Sequence, residues 1–177
     1  MENEAREKKK INKGNMLIIV TIVVLTIIVV ITAVLNRENI EERMELQESG
    51  GFLVTMAERT YVVSMKILMG LEPMEVSASP RGQLRNFTGV PLVAILDYFY
   101  IDYSEVGTVV FTSLDGFAAA ISIEEATDET NTFIVFKESG QALGTREEGG
   151  LGPYMVVVAL DQFPNRWARY LMEVTLL

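Results

Sequence analysis

Residues 108–121 read TVVFTSLDGFAAAI. Thr108 to Ser113 is β-rich and reads as a strand. Leu114-Asp115-Gly116 is a tight turn, and Phe117 to Ile121 is the return strand of a hairpin. A hairpin commits this part of the chain to a sheet. The segments on either side must extend that sheet or cover it.

Toward the C-terminus, Ser122-Ile123-Glu124-Glu125 has the form of a capping box, with Ser122 as cap and Glu125 three residues on. Thr132 to Lys137 (TFIVFK) is a buried strand, and Glu138-Ser139-Gly140-Gln141 a hairpin-like turn. The loop Gly144 to Pro153 (GTREEGGLGP) is glycine-rich. Tyr154 to Leu160 (YMVVVAL) is the most hydrophobic strand, Asn165 to Tyr170 a helical turn carrying Trp167, and Leu171 to Leu177 a last strand.

Toward the N-terminus, Gly89-Val90-Pro91-Leu92 turns into a helix with Leu92, Ile95, Leu96 and Phe99 as its apolar stripe. Leu84 to Thr88 and Met74 to Ser79 are strands around a Pro80-Arg81-Gly82-Gln83 turn. Ser64 caps a short helix, Met65 to Leu71. Phe52 to Ala57 and Thr60 to Val63 are strands around Glu58-Arg59. The sum over residues 52–177 is an α+β domain of many short strands in mixed order with two or three short helices.

Upstream lies MLIIVTIVVLTIIVVITAVL, residues 16–35, without a charge, Gly or Pro. A helix of that length reaches about 30 Å, the hydrocarbon thickness of a bilayer. Only a helix satisfies its backbone in lipid, and the threonine hydroxyls can bond back one turn. Arg6, Lys8, Lys9, Lys10 and Lys13 precede it, against Arg37 and Arg43 after it, so the N-terminus is expected inside. The stretch is longer than a signal-peptide core and ends without an A-x-A site. It is read as an uncleaved, single-pass signal anchor in the cell membrane. Residues 1–15 form the cytoplasmic tail. Residues 36–51 form a charged helical stalk closed by Gly50-Gly51. The domain 52–177 is extracytoplasmic.

The 177 residues carry a formal charge of −9, of which the first 15 contribute +2. An acidic domain is a poor partner for nucleic acid. Neither cysteine nor histidine occurs, which removes disulfides, thiolate ligands and the commonest general base.

The order of motifs resembles the molybdopterin-binding domain of sulfite-oxidase-type oxidoreductases, in its small stand-alone bacterial form. The matching stretches are EVSASPRG (75–82), FTGVPLVAIL (87–96), SLDGFAAAISIEEA (113–126), FIVFKESGQAL (133–143) and GGLGPYMVVV with RWARYLMEVTL (149–176). The resemblance implies a mainly β, mixed-sheet fold with short helices. In catalytic members a cysteine in the turn after a strand like EVSAS binds molybdenum; Pro80 stands about there, and proline offers no ligand atom. The family's histidine is missing, and Arg81, Arg85, Arg146, Arg166 and Arg169 are what remains for oxyanions. The fold is therefore expected without the metal chemistry.

By the same resemblance, Arg81 and Gly82, Asp115 and Gly116, and Gly149 and Gly150 would converge on one sheet edge. Glycine N–H groups there could cradle an anion, completed by Arg81 or Arg85. The competing reading is that the glycines serve turns alone, and Glu147 and Glu148 would repel an anion. Glu124, Glu125, Asp128 and Glu129 match no calcium loop and read as a solvated face. No catalytic or metal-binding residue is assigned and no cofactor is predicted, molybdopterin being weighed and not expected. Phe163, Trp167 and Tyr170 form an aromatic–basic patch, with Trp167 read as core.

The functional expectation is a membrane-anchored extracytoplasmic binding or interaction domain with a degenerate molybdopterin-binding fold and no molybdenum catalysis. Its partners would be lipid through residues 16–35 and an envelope protein or membrane complex. The alternative is an oxidoreductase or electron-transfer accessory subunit holding a pterin or other cofactor without cysteine.

Overall fold

The computed structural model describes Met16, residues 18–31 and residues 50–177. The chain divides into two units, Met1–Met44 and Glu45–Leu177. In the first, residues 18–31 form a helix, α1, with its apolar side chains exposed. The Thr26 hydroxyl donates to the Ile22 carbonyl at 2.9 Å, the local bond that makes a helical threonine tolerable in an apolar setting. Among the described residues no helix is long and apolar enough to cross a membrane. The expected span 16–35 extends past them: residues 17 and 32–35 lie outside the described residues, as do the tail 1–15 and the stalk 36–49.

The second unit is a mainly β, α+β domain with two five-stranded sheets. The first runs β2-β1-β10-β5-β6, from β1 (Gly51–Met56), β2 (Arg59–Ser64), β5 (Thr108–Ser113), β6 (Ala118–Ser122) and β10 (Leu171–Leu176). The second runs β3-β4-β7-β8, with β9 also on β7, from β3 (Met74–Ala78), β4 (Arg85–Pro91), β7 (Thr132–Glu138), β8 (Gln141–Ala142) and β9 (Met155–Val158). β1 and β10 pair in parallel, Val54 beside Val174; the other pairings are antiparallel.

The opening hairpin is β5–β6, with Phe111 opposite Ala119 and Val110 opposite Ala120. Val109 and Phe111 are buried while Val110 and Thr112 are half-buried, as the two-residue period of a strand requires. Phe52, Val54, Val63 and Val174 join Phe111 in the core. Each fully buried side chain of this size contributes roughly 1.5–3 kcal/mol relative to exposure.

Three helices cover the sheets: α2 (Met65–Gly70), α3 (Leu92–Tyr98) and α4 (Ile123–Thr127). Leu92, Ile95 and Leu96 of α3 are fully buried, the stripe expected from spacing. α4 begins with the capping box: the Glu125 N–H donates to Ser122 Oγ, and the Ser122 N–H donates to the Glu125 carboxylate.

Four local readings are corrected. β4 runs on through Gly89 and Pro91 where a turn was expected, because Gly89 lets β4 close on β7. A Cβ there would sit 2.4 Å from the Ile134 carbonyl oxygen. Ser64 precedes α2 without a side-chain cap bond. The strand expected over 154–160 is limited to Met155–Val158, and Leu160 turns out to solvent. The helical turn expected over 165–170 is one 3-10 turn, Pro164–Arg166.

Candidate functional site

The segment 162–170 connects the three turns that the sequence reading grouped together. At one end, the Arg81 N–H donates to the Gln162 carbonyl at 2.8 Å. Arg81 sits in a 3-10 turn, Pro80–Gly82, with φ of 55°, next to Gly82 at 74°. Pro80 is buried and the Arg81 side chain is exposed. At the other end, the Leu114 N–H donates to the Tyr170 carbonyl at 3.0 Å, and the Tyr170 N–H donates to the Leu151 carbonyl at 3.1 Å. The Tyr170 hydroxyl reaches the Gly150 carbonyl at 2.9 Å.

Between these ends a pocket of about 470 Å³ opens, lined by Asp115, Phe117, Pro164, Asn165, Trp167 and Arg169. Trp167 is buried, its indole N–H bonded to the Val158 carbonyl at 3.1 Å. Asp115 is held by its turn, its carboxylate accepting from the Phe117 N–H at 3.1 Å. One guanidinium, Arg169, stands against this one carboxylate. The lining is neutral overall, unlike a site built to hold a multiply charged anion. Of the residues singled out from sequence as a site, Asp115 lines this pocket. Arg169, named from sequence among the arginines left for an oxyanion, lines it too. Phe117, Pro164 and Asn165 were outside that group; the Phe163–Tyr170 aromatic–basic patch was a signal for Pro164 and Asn165, and Phe117 follows the Asp115-Gly116 turn.

Arg85 points elsewhere. Its Nε and Nη2 donate to Oε1 and Oε2 of Glu138 at 2.7 and 2.8 Å. Its guanidinium also lies 5.0 Å from the Phe87 ring centre and 5.6 Å from that of Trp167. The charge is balanced by a carboxylate and lies beside two aromatic rings, an arrangement that fixes the Arg rather than presenting it.

The glycine loop is closed on itself. The N–H groups of Gly149, Gly150, Leu151 and Gly152 donate to the carbonyls of Arg146, Thr145, Leu143 and Gly144, at 3.0, 2.8, 2.9 and 2.8 Å. The Glu148 carboxylate takes the Thr145 N–H at 2.8 Å, and this bond holds the exposed acid below the usual carboxylate range. The glycines have local reasons. Gly149 has φ of 75°, and a Cβ on Gly150 would lie 2.2 Å from the Leu143 carbonyl oxygen.

Arg166 organises the far side of the same segment. It bonds both oxygens of Glu125, at 3.0 and 2.9 Å, and both oxygens of Asp161, at 2.5 and 2.9 Å. Arg166 hydrogen bonding is the chief reason the Glu125 carboxyl is lowered, and its bonds to Asp161 and Glu125 raise the Arg166 value. The arrangement ties α4 to the 162–170 segment. Glu125 therefore belongs to an ion network. Among the described residues no group of three or more metal-ligating side chains converges.

No family model matches the chain, and no curated protein matches it. Among solved structures it is similar to the crystal structure of the sulfane dehydrogenase SoxCD from Paracoccus pantotrophus. The TM-score is 0.58 at 15% identity, covering 72% of this chain and 38% of that chain. At this identity the likeness is one of fold, and the chain spans well under half the length of that neighbour. The donor set does not fit the molybdenum site that the family resemblance implies. There is no thiolate in the chain, Pro80 occupies the turn, and the glycine N–H groups are already used. The protein shares a mainly β, α+β fold with part of that sulfane dehydrogenase.

Proposed function

We propose that this protein is a membrane-anchored, extracytoplasmic binding domain on a degenerate scaffold of sulfite-oxidase molybdopterin-binding type, without molybdenum chemistry. The carrying observation is the closed glycine loop, whose four consecutive N–H groups from Gly149 to Gly152 all bond to carbonyls of residues 143–146. A phosphate cradle needs such donors free. The paired Arg85 supports the same reading. The anchor is supported by the uncharged stretch 16–35 with its flanking basic residues. The binding target is an envelope protein or membrane complex.

The test uses the full chain, expressed in a host that makes molybdopterin and extracted in detergent. Metal analysis is expected to give less than one-tenth of a molybdenum per chain, and stoichiometric molybdenum with pterin overturns the reading. Resistance of the membrane-bound chain to carbonate extraction checks the anchor; release overturns it.

One observation favours a second reading, an oxidoreductase or electron-transfer accessory subunit. The pocket of about 470 Å³ beside Trp167 is within the usual size range for small ligands. Trp167 is the sole tryptophan, so its fluorescence reports on that pocket directly. Saturable quenching by a pterin would decide for this second reading.

A further inference from the structure

We propose that the corner of the domain formed by β2 and α2 rests in the headgroup layer of the bilayer, with Val62, Met65 and Met69 as its apolar contact. This rests on the membrane-anchor reading above. The argument begins at Tyr154, a side chain 1% exposed. Its hydroxyl donates to the Gly50 carbonyl at 2.5 Å, and the Met65 main chain lies near the same phenol. One buried residue thus ties the start of the domain to the start of α2. The strand register agrees: Gly51 pairs with Ser64, the residue before α2. The chain therefore enters the domain beside α2.

Apolar side chains also stand in solvent on β2 and α2 at that corner. Val62, Met65 and Met69 are 51%, 37% and 55% exposed, while Leu68 is fully buried. Met65 and Met69 are four apart and share a helix face. Lys66 is the only charged residue from Ser64 to Leu71, and a lysine can lay its stem on an apolar surface with its ammonium among phosphates.

The covalent arrangement says which surface is at hand. Fourteen residues, 36–49, separate the apolar stretch from Gly50, a reach of about 50 Å at full extension. Such a tether makes docking effectively intramolecular, so a patch too small to hold a free protein on lipid suffices here. The residues after the apolar stretch sum to −11 by formal charge. Charge attraction to lipid does not hold such a domain, so on a zwitterionic bilayer the contact is apolar and insensitive to salt.

The chain has no cysteine, so single labelling sites are unambiguous. Full-length Met69→Cys, Val62→Cys and Ala142→Cys proteins, each carrying an environment-sensitive fluorophore, are placed in phosphatidylcholine nanodiscs with doxyl-labelled lipid. Ala142 is an exposed position on β8, in the other sheet. Quenching at 62 and 69 is expected to exceed that at 142 at least about threefold, unchanged by 0.5 M salt, where the Debye length is only about 4 Å. In the Val62→Cys protein, adding Met65→Asp and Met69→Asp should return quenching to the level at 142. Equal quenching at all three sites with the protein retained in the disc overturns the docking while leaving the anchor intact. Loss of the protein from the disc overturns both. Protection at 69 that appears only with two copies per disc, or only with an added protein partner, reassigns the patch and overturns the lipid contact.

Discussion

Arg85 of β4 and Glu138 of β7, 53 residues apart, meet fork to fork across the second sheet, with two hydrogen bonds of 2.7 and 2.8 Å. The pair is part-buried, its side chains 26% and 30% exposed. A charged partner left alone there loses its compensation. Glu138→Gln and Arg85→Met are each expected to lower unfolding free energy by about 1–2 kcal/mol. A double-mutant cycle in urea should return a coupling near 1 kcal/mol. A coupling of zero would show that the bonds are not held in solution.

Arg166 gives the fold an acid-sensitive joint. The Glu125 carboxyl is lowered in the folded state, chiefly by its hydrogen bonds from Arg166. A depressed carboxyl stabilises the fold fully above its unfolded value, and that contribution fades as pH falls through the folded value. Arg166→Leu should cost about 1 kcal/mol at pH 7 and flatten the loss of stability below about pH 4.5, the ordinary glutamate range. Urea midpoints measured for both proteins from neutral pH to pH 3 test this. Parallel curves count against it.

The loop glycines separate space from backbone. Gly150→Ala drives a methyl into the Leu143 and Gly144 main chain, which cannot retreat as a side chain would; a cost of about 1–3 kcal/mol is expected. Gly149→Ala meets nothing within 4 Å but must hold φ of 75°, at about 1 kcal/mol. Thermal melts of the two proteins should rank in that order. The reverse order would mean the loop packs differently.

Ser113 is 4% exposed, and its hydroxyl has no hydrogen-bond partner among the described residues. An unpaired buried hydroxyl costs free energy that an apolar replacement removes. Ser113→Ala is expected to be neutral or to stabilise by up to about 1 kcal/mol, read as an equal or higher Tm. A clear loss of stability would reveal a partner for that oxygen.

What the sequence revealed was local. The β5–β6 hairpin, the Ser122–Glu125 box and the TFIVFK strand could be read almost to the residue, because each signal lies within a few positions of its effect. Gly89 misled because glycine marks a turn and a close strand approach equally well; only the neighbour, β7, decides. Arg85 could be read as an anion ligand because its partner lies 53 positions away. Arg166 and Glu125, 41 positions apart, were hidden for the same reason. The grouping of the Arg81, Asp115 and Gly150 turns came from the order of motifs. The contacts that join them run through Gln162 and Tyr170, neither of which carries a sequence signal that names its partner.

β10 lies at the middle of the first sheet, between β1 and β5. During synthesis β1 and β2 emerge first, yet the central strand that joins them to the β5–β6 hairpin is made more than a hundred residues later. Until then the sheet exists only as two separate hairpins with open inner edges. Closing a contact of such long sequence separation is slow, so maturation of the domain waits on its last strand. A ribosome stalled before Leu171 would leave an unfinished sheet, exposing the edges most open to wrong pairing.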